Sequence, residues 1–149
     1  MDQLRVAFLV RLASPLVLVA FLGCGESIVV RDAWIREPPP RSPAAGYLII
    51  ENRGAQSIEL VGVETGAAER TEIHVMEHRE GKMTMRRADG VTVPAHGEVA
   101  LRSGGTHLML MSLRRELKAG DDVTLVLRFA DGTFKRVVAP VRKGGHAAP

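Results

Sequence analysis

The chain is 149 residues long and carries 20 Lys and Arg against 17 Asp and Glu, a formal net charge of +3 with its five histidines neutral. Its basic residues, Arg86, Arg87, Arg114, Arg115, Lys135 and Arg136 among them, are scattered without aromatic interleaving. That pattern argues for a solvated surface and against a nucleic-acid-binding face. Cys24 is the only cysteine, which excludes an internal disulfide.

At the front, Arg5 and Arg11 precede an apolar run from Pro15 to Gly23. The run has signal-peptide length and falls short of the roughly 20 apolar residues of a membrane-spanning helix. Residues 1–23 therefore read as a signal peptide. Phe21-Leu22-Gly23-Cys24 resembles a bacterial lipobox, although lipoboxes prefer Leu three places before the cysteine and a small residue two before. That reading makes Cys24 the first mature residue and a lipid anchor to the membrane. An ordinary secretory signal with an incidental Cys24 is the other reading, and both export the protein to the periplasm or its extracytoplasmic equivalent.

After the signal, β-type segments alternate with turn signals. Ser27–Arg36 is a first strand region and carries the only Trp, Trp34. Glu37 to Pro43 (EPPPRSP) is an irregular connection, because consecutive prolines cannot donate to a ladder. Further strands are expected over Ala45–Glu51, Ser57–Glu64, Thr71–Arg79, Lys82–Arg86, Val91–Pro94, Glu98–Arg102, Thr106–Leu113, Asp122–Phe129 and Thr133–Val141. Glu80-Gly81 and Asp131-Gly132 read as hairpin turns. No segment holds a helical period. The expectation is all-β: one cupredoxin-like antiparallel β-sandwich with Greek-key connections, about seven to nine strands, spanning residues 25–142. Residues 143–149, with His146, read as a flexible tail.

His74 to Met111 concentrates unusual chemistry. Apart from the initiator, every methionine lies within it (Met76, Met83, Met85, Met109 and Met111), together with His74, His78, His96 and His107. Methionine in a strand is ordinarily core filler. Thioethers and imidazoles at strand spacing point instead to a soft-metal site, since such ligands suit copper(I) while hard cations want oxygen. Residues of one parity share a strand face, so His74, Met76 and His78 point the same way, as do His107, Met109 and Met111. A symmetric hairpin about Glu80-Gly81 sets Met76 against Met85 and His78 against Met83, with His74 diagonal to Met85. If the later strand lies beside this hairpin, His74, Met85, His107 and Met109 can converge on one ion, with Met76 as a secondary candidate. Met111 and Met76 are otherwise expected in the core, where Met→Ala costs about 2–5 kcal/mol. Met83 and His78 approach the tip, and His96, after Pro94-Ala95, sits in a turn.

The spacing resembles that of the PCu(A)C-type bacterial periplasmic copper(I) chaperones, whose pattern is His, ten residues, Met, twenty-one residues, then His-any-Met. Here residues 75–84 number ten, residues 86–106 number twenty-one, and His107-Leu108-Met109 completes the pattern without an insertion. Asp32-Ala33-Trp34, Ala45-Gly46-Tyr47 leading to Glu51-Asn52, and Gly105 to Leu113 extend the resemblance across residues 27–141. The resemblance implies copper(I) as cargo, metal ligands His74, Met85, His107 and Met109, and delivery for assembly of the CuA centre of cytochrome c oxidase. The expected partner is a copper-accepting oxidase subunit or another copper chaperone, and the chain itself is expected to be a monomer without enzymatic activity. The short tail lacks the His/Met-rich extension that some members carry.

Two imidazoles and two thioethers are neutral donors, suited to holding copper(I) and releasing it to thiolates. A blue-copper electron carrier needs a cysteine ligand, and Cys24 lies far from this window. No Ser-His-Asp set, carboxylate pair or phosphate loop supports hydrolytic or phosphoryl chemistry. The competing reading is an exported β-sandwich adhesion or interaction module with core methionines and no metal.

Overall fold

The computed structural model describes residues 27–144; the signal segment, Cys24 and His146 lie outside the described residues. Ten strands follow one another: β1 (Ile28–Arg36), β2 (Ala44–Asn52), β3 (Ile58–Glu64), β4 (Ala68–Arg79), β5 (Lys82–Ala88), β6 (Val91–Val93), β7 (Gly97–Leu101), β8 (His107–Leu113), β9 (Asp122–Phe129) and β10 (Phe134–Arg142). Each β segment expected from the sequence is present. Among the described residues there are ten strands rather than about seven to nine, because short β6 and β7 each pair with a different partner, β3 and β2 respectively.

The hydrogen-bonded order is β5-β4-β8-β2-β1-β10-β9-β3-β6, with β7 also on β2. One sheet carries β1, β2, β4, β5, β7 and β8, and the second carries β3, β6, β9 and β10. They join where Ile35 and Arg36 of β1 pair with Val141 and Arg142 of β10, the one parallel register in an otherwise antiparallel sandwich. β2 shares one edge between two partners: Ala44 to Gly46 pair with β8, and Leu48 to Asn52 pair with β7.

Alternation places the core. Along β9, Val123, Leu125, Leu127 and Phe129 are buried and their neighbours are not. They pack in one cluster with Leu48, Ile50, Ile73, Leu108 and Leu110 of the other sheet. Each such side chain contributes about 1.5–3 kcal/mol by leaving water. Buried Asn52 ends β2 by donating from Nδ2 to the carbonyls of Gln56 (2.8 Å) and Val93 (3.3 Å), while its Oδ1 accepts from the Gly54 amide (2.9 Å). A buried amide so paired avoids the cost of an unsatisfied polar group and ties β2 to β6.

The long β4–β5 hairpin turns at Glu80 (φ 51) and Gly81 (φ 76). Two central residues of positive φ make the tight turn whose twist matches the flanking strands. That turn fixes the register of everything behind it.

Candidate metal centre

β4 is the middle of three strands, with β5 on one side and β8 on the other. Across β4 and β5, Met76 opposes Met85, His78 opposes Met83 and His74 opposes Arg87. This is the register read from the sequence, with His74 diagonal to Met85. Across β4 and β8, His74 opposes His107, Glu72 opposes Met109 and Arg70 opposes Met111. Directly paired residues share a face. Glu72, His74, Met76, Met85, His107 and Met109 therefore all lie on one face of this sheet. Ile73, Leu108 and Leu110 fill the other face and belong to the core.

The two histidines sit edge to face, with ring centroids 6.0 Å apart and planes at 65°. His107 is buried at 6 % exposure, and its Nδ1 lies 2.8 Å from the Gly105 carbonyl. A carbonyl can only accept, so Nδ1 carries the proton and Nε2 keeps its lone pair. His74 is arranged the opposite way. Its Nε2 lies 2.8 Å from Glu72 Oε2, so Nε2 donates to the carboxylate and Nδ1 is left with the lone pair. That Nδ1 is buried with no hydrogen-bond partner. An orphaned buried nitrogen is costly in a metal-free fold and useful to a metal. Each ring thus keeps one donor nitrogen, and each is oriented through its other nitrogen, the usual arrangement of metal-binding imidazoles.

Glu72 also accepts from Arg70 Nε at 3.1 Å. The hydrogen bond from His74, and then the one from Arg70, hold its carboxyl below the usual carboxylate range. Glu72 and the Gly105 carbonyl were not singled out from the sequence. The available signal was parity, since Glu72 lies two residues before His74 on the same face.

The thioethers differ in setting. Met109 is half-buried beside His107, whereas Met85 is 50 % exposed on the outer strand. Met76 is half-buried directly opposite Met85 on the same face, and Met111 is half-buried one pleat beyond Met109. Neither Met76 nor Met111 belongs to the core, contrary to the expectation from the sequence. Their parity is that of His74 and His107, and the core took the opposite parity. The reading in which methionines fill the core loses its premise, because among the described residues no methionine belongs to the buried core and Met83 and Met85 are well exposed. Among the described residues no group of three or more His, Cys, Asp or Glu is placed to hold a metal. A donor set at this place would have to draw on the thioethers.

On the far side of β8, Gly46 of β2 pairs with Leu108, and Tyr47 continues the strand beside His107. Tyr47 stacks on Trp34 with centroids 4.6 Å apart, and the Arg36 guanidinium lies 5.4 Å from the Tyr47 ring centroid. These aromatics continue the outer face past His107. A groove of about 700 Å³ lies further along, between the proline-rich connection Pro38–Pro43 and the end of β8. It shares Met111 but touches none of His74, Met85, His107 or Met109. His96 stands apart from the site, in the turn before β7, with its amide donating to the Gly54 carbonyl.

The model of the LpqE-like lipoproteins matches residues 28–141. The chain belongs to the LpqE-like family. A protein of Leifsonia xyli subsp. xyli (strain CTCB07) named as a lipoprotein, Lxx21020, is 32% identical over 118 residues, covering 78% of this chain and 70% of the relative. Among solved structures, copper(I)-loaded DR1885 from Deinococcus radiodurans is 32% identical, with a TM-score of 0.67 over 84% of each chain. The metal-free form of that protein gives 29% identity and a TM-score of 0.62 over 97% of each. The copper-bound PCuAC domain of PmoF2 gives a TM-score of 0.67 over 78% of this chain and 93% of the domain. At 20% identity that last likeness speaks for the fold. The all-β sandwich and the resemblance to PCu(A)C-type proteins, both read from the sequence, are borne out by these matches.

Proposed function

We propose that this LpqE-like protein is an extracytoplasmic copper(I) carrier without enzymatic activity, in which His74, Met85, His107 and Met109 hold one ion. The observation that carries the reading is the His74–His107 pair, with one buried, unpartnered ring nitrogen and thioethers on the same face of the two flanking strands. Likeness to copper(I)-loaded DR1885 supports it. Neutral nitrogen and sulfur donors select copper(I) over harder cations and leave the ion exchangeable. The exposed Met85 arm is the donor most easily displaced, so an acceptor offering thiolates enters from that side. We assign the acceptor as a copper-accepting oxidase subunit or a second copper chaperone, with CuA assembly as the destination. The domain boundaries at residues 25 and 142, the lipid anchor at Cys24, the monomeric state and the periplasmic location belong to the same proposal, and the lipoprotein family name agrees with export.

The test is anaerobic copper(I) titration of the full chain against a chromophoric competitor, alongside His107→Ala and Met109→Ala. One tight equivalent, lost in both variants, is expected. Retention of that equivalent by both variants would overturn the reading.

A further inference from the structure

The row of soft donors does not stop at Met85. Two residues further towards the hairpin tip, His78 opposes Met83, and its Nδ1 lies 3.3 Å from the Met83 sulfur. Both side chains are exposed, Met83 at 55 %. A thioether is a weak hydrogen-bond acceptor and gains little from water at such a position. The separation does suit two ligands of one small d10 ion. Bonds of about 2.0 Å to imidazole nitrogen and about 2.3 Å to sulfur span 3.3 Å at an angle of roughly 100°.

The backbone under the pair is held in place. On the opposite face of the hairpin, Arg86 Nε donates to Glu77 Oε1 at 2.6 Å. Thr84 Oγ1 donates across the strands to the Glu77 carbonyl at 3.3 Å, and the Glu80-Gly81 turn closes the ladder. The Met76–Met85 pair fills the one position on this face between the tip and the His74–His107 pair.

We propose that the hairpin tip is a second soft-metal site, in which His78 Nδ1 and Met83 Sδ chelate a monovalent d10 cation, copper(I) or silver(I). Binding needs the Nδ1 lone pair, so His78 holds its ring proton on Nε2 in the loaded state. With two donors against four, the tip binds more weakly than the inner set and fills second. The proposal goes beyond the carrier reading, because the tip pair needs nothing from His74, His107 or Met109.

The experiment is a titration of the full chain with silver(I), which is redox-inert, and then with anaerobic copper(I), following imidazole and methionine-methyl resonances. The first equivalent is expected to move His74, His107 and Met109, and the second to move His78 and Met83. His78→Ala combined with Met83→Leu, both at exposed positions, should abolish the second event and leave the first unchanged. In His107→Ala the tip resonances should still respond. Response of the inner residues alone overturns the tip site, and so does a second equivalent that survives the double variant. Response of the tip alone overturns the carrier reading and leaves the tip site standing.

Discussion

Glu72 accepts a hydrogen bond from His74 Nε2 at 2.8 Å and so decides that Nδ1 of His74 keeps the lone pair that the proposed metal site would use. The carboxylate and the imidazole sit two residues apart on one strand face, and Met109 stands directly across from Glu72 on β8. Removing the acceptor frees the ring to take either tautomer and either flip. Glu72→Ala should therefore weaken copper(I) binding by about 10–100-fold, the usual effect of losing an orienting partner of a metal ligand. Nitrogen-resolved imidazole spectra of the metal-free variant should show His74 as a mixture of tautomers where the parent shows one. Unchanged affinity with an unchanged tautomer would remove Glu72 from the site.

The same pair makes folding depend on acidity. The carboxyl of Glu72 is held low by the hydrogen bond from His74 and then by Arg70. A carboxyl whose folded value lies below its unfolded value of about 4.3 contributes stability above that value, and loses it as pH falls through the folded value. Glu72→Gln removes this contribution at all pH. The gap in denaturant midpoint between parent and variant should be constant near neutrality and should close below about pH 4. A gap that stays constant from neutrality to below about pH 4 would mean that the contact is not formed in solution.

Methionine truncation separates the outer face from the core. Met76 and Met111 are half-buried on the outer face, whereas Leu108 and Leu110 are fully buried. Leu108→Ala should cost about 2–5 kcal/mol, and Met76→Ala and Met111→Ala each less than about 2. Denaturant midpoints measure all three. Equal losses would return the methionines to the core.

Much of the sandwich was legible because period-2 alternation and turn residues are local. All ten strand regions and the Met76–Met85 and His78–Met83 pairs follow from that local pattern plus one hairpin turn. The face that turned inward was not legible in β4 and β8. There both parities carry apolar side chains, Ile73 and Val75 against Met76, and Leu108 and Leu110 against Met109 and Met111. Burial was settled by the opposing sheet, through Leu125, Leu127 and Phe129, which no local pattern reports. Long-range pairing was hidden for the same reason: the parallel β1–β10 contact joins the two ends of the domain. Juxtaposition of His74 with His107 came from the family spacing rather than from alternation. Glu72 was missed because an acidic residue in an exposed-looking strand carries no signal of its own.

Anchoring is expected to depend on Cys24, which lies outside the described residues. Cys24→Ala should release the protein from the membrane fraction or block its processing. Partition between membrane and soluble fractions, followed by immunoblot, decides it, and an unchanged membrane share would leave Cys24 incidental to an ordinary signal.

The last expectation sets the three outer donors against one another, because their burial differs while their proposed role is shared. Met85 is half exposed and touches no core residue's face, so Met85→Ala should leave the denaturant midpoint within about 0.5 kcal/mol of the parent. Met109 is half-buried and should cost somewhat more on truncation. His107 is buried and donates to the Gly105 carbonyl, so His107→Ala removes a buried ring, leaves a partly buried acceptor unpaired and should cost about 1–3 kcal/mol. Stability therefore ranks the three variants Met85→Ala, Met109→Ala, His107→Ala in order of increasing loss. Copper(I) affinity should not follow that order, because each variant removes one of the four proposed donors and all three should fall by tenfold or more, about 1.4 kcal/mol each. Competition titrations and denaturant midpoints on the same three proteins test the separation. If affinity tracked stability instead, with Met85→Ala nearly unaffected, the exposed thioether would be no ligand, and the inner site would close with His74, His107 and Met109 alone.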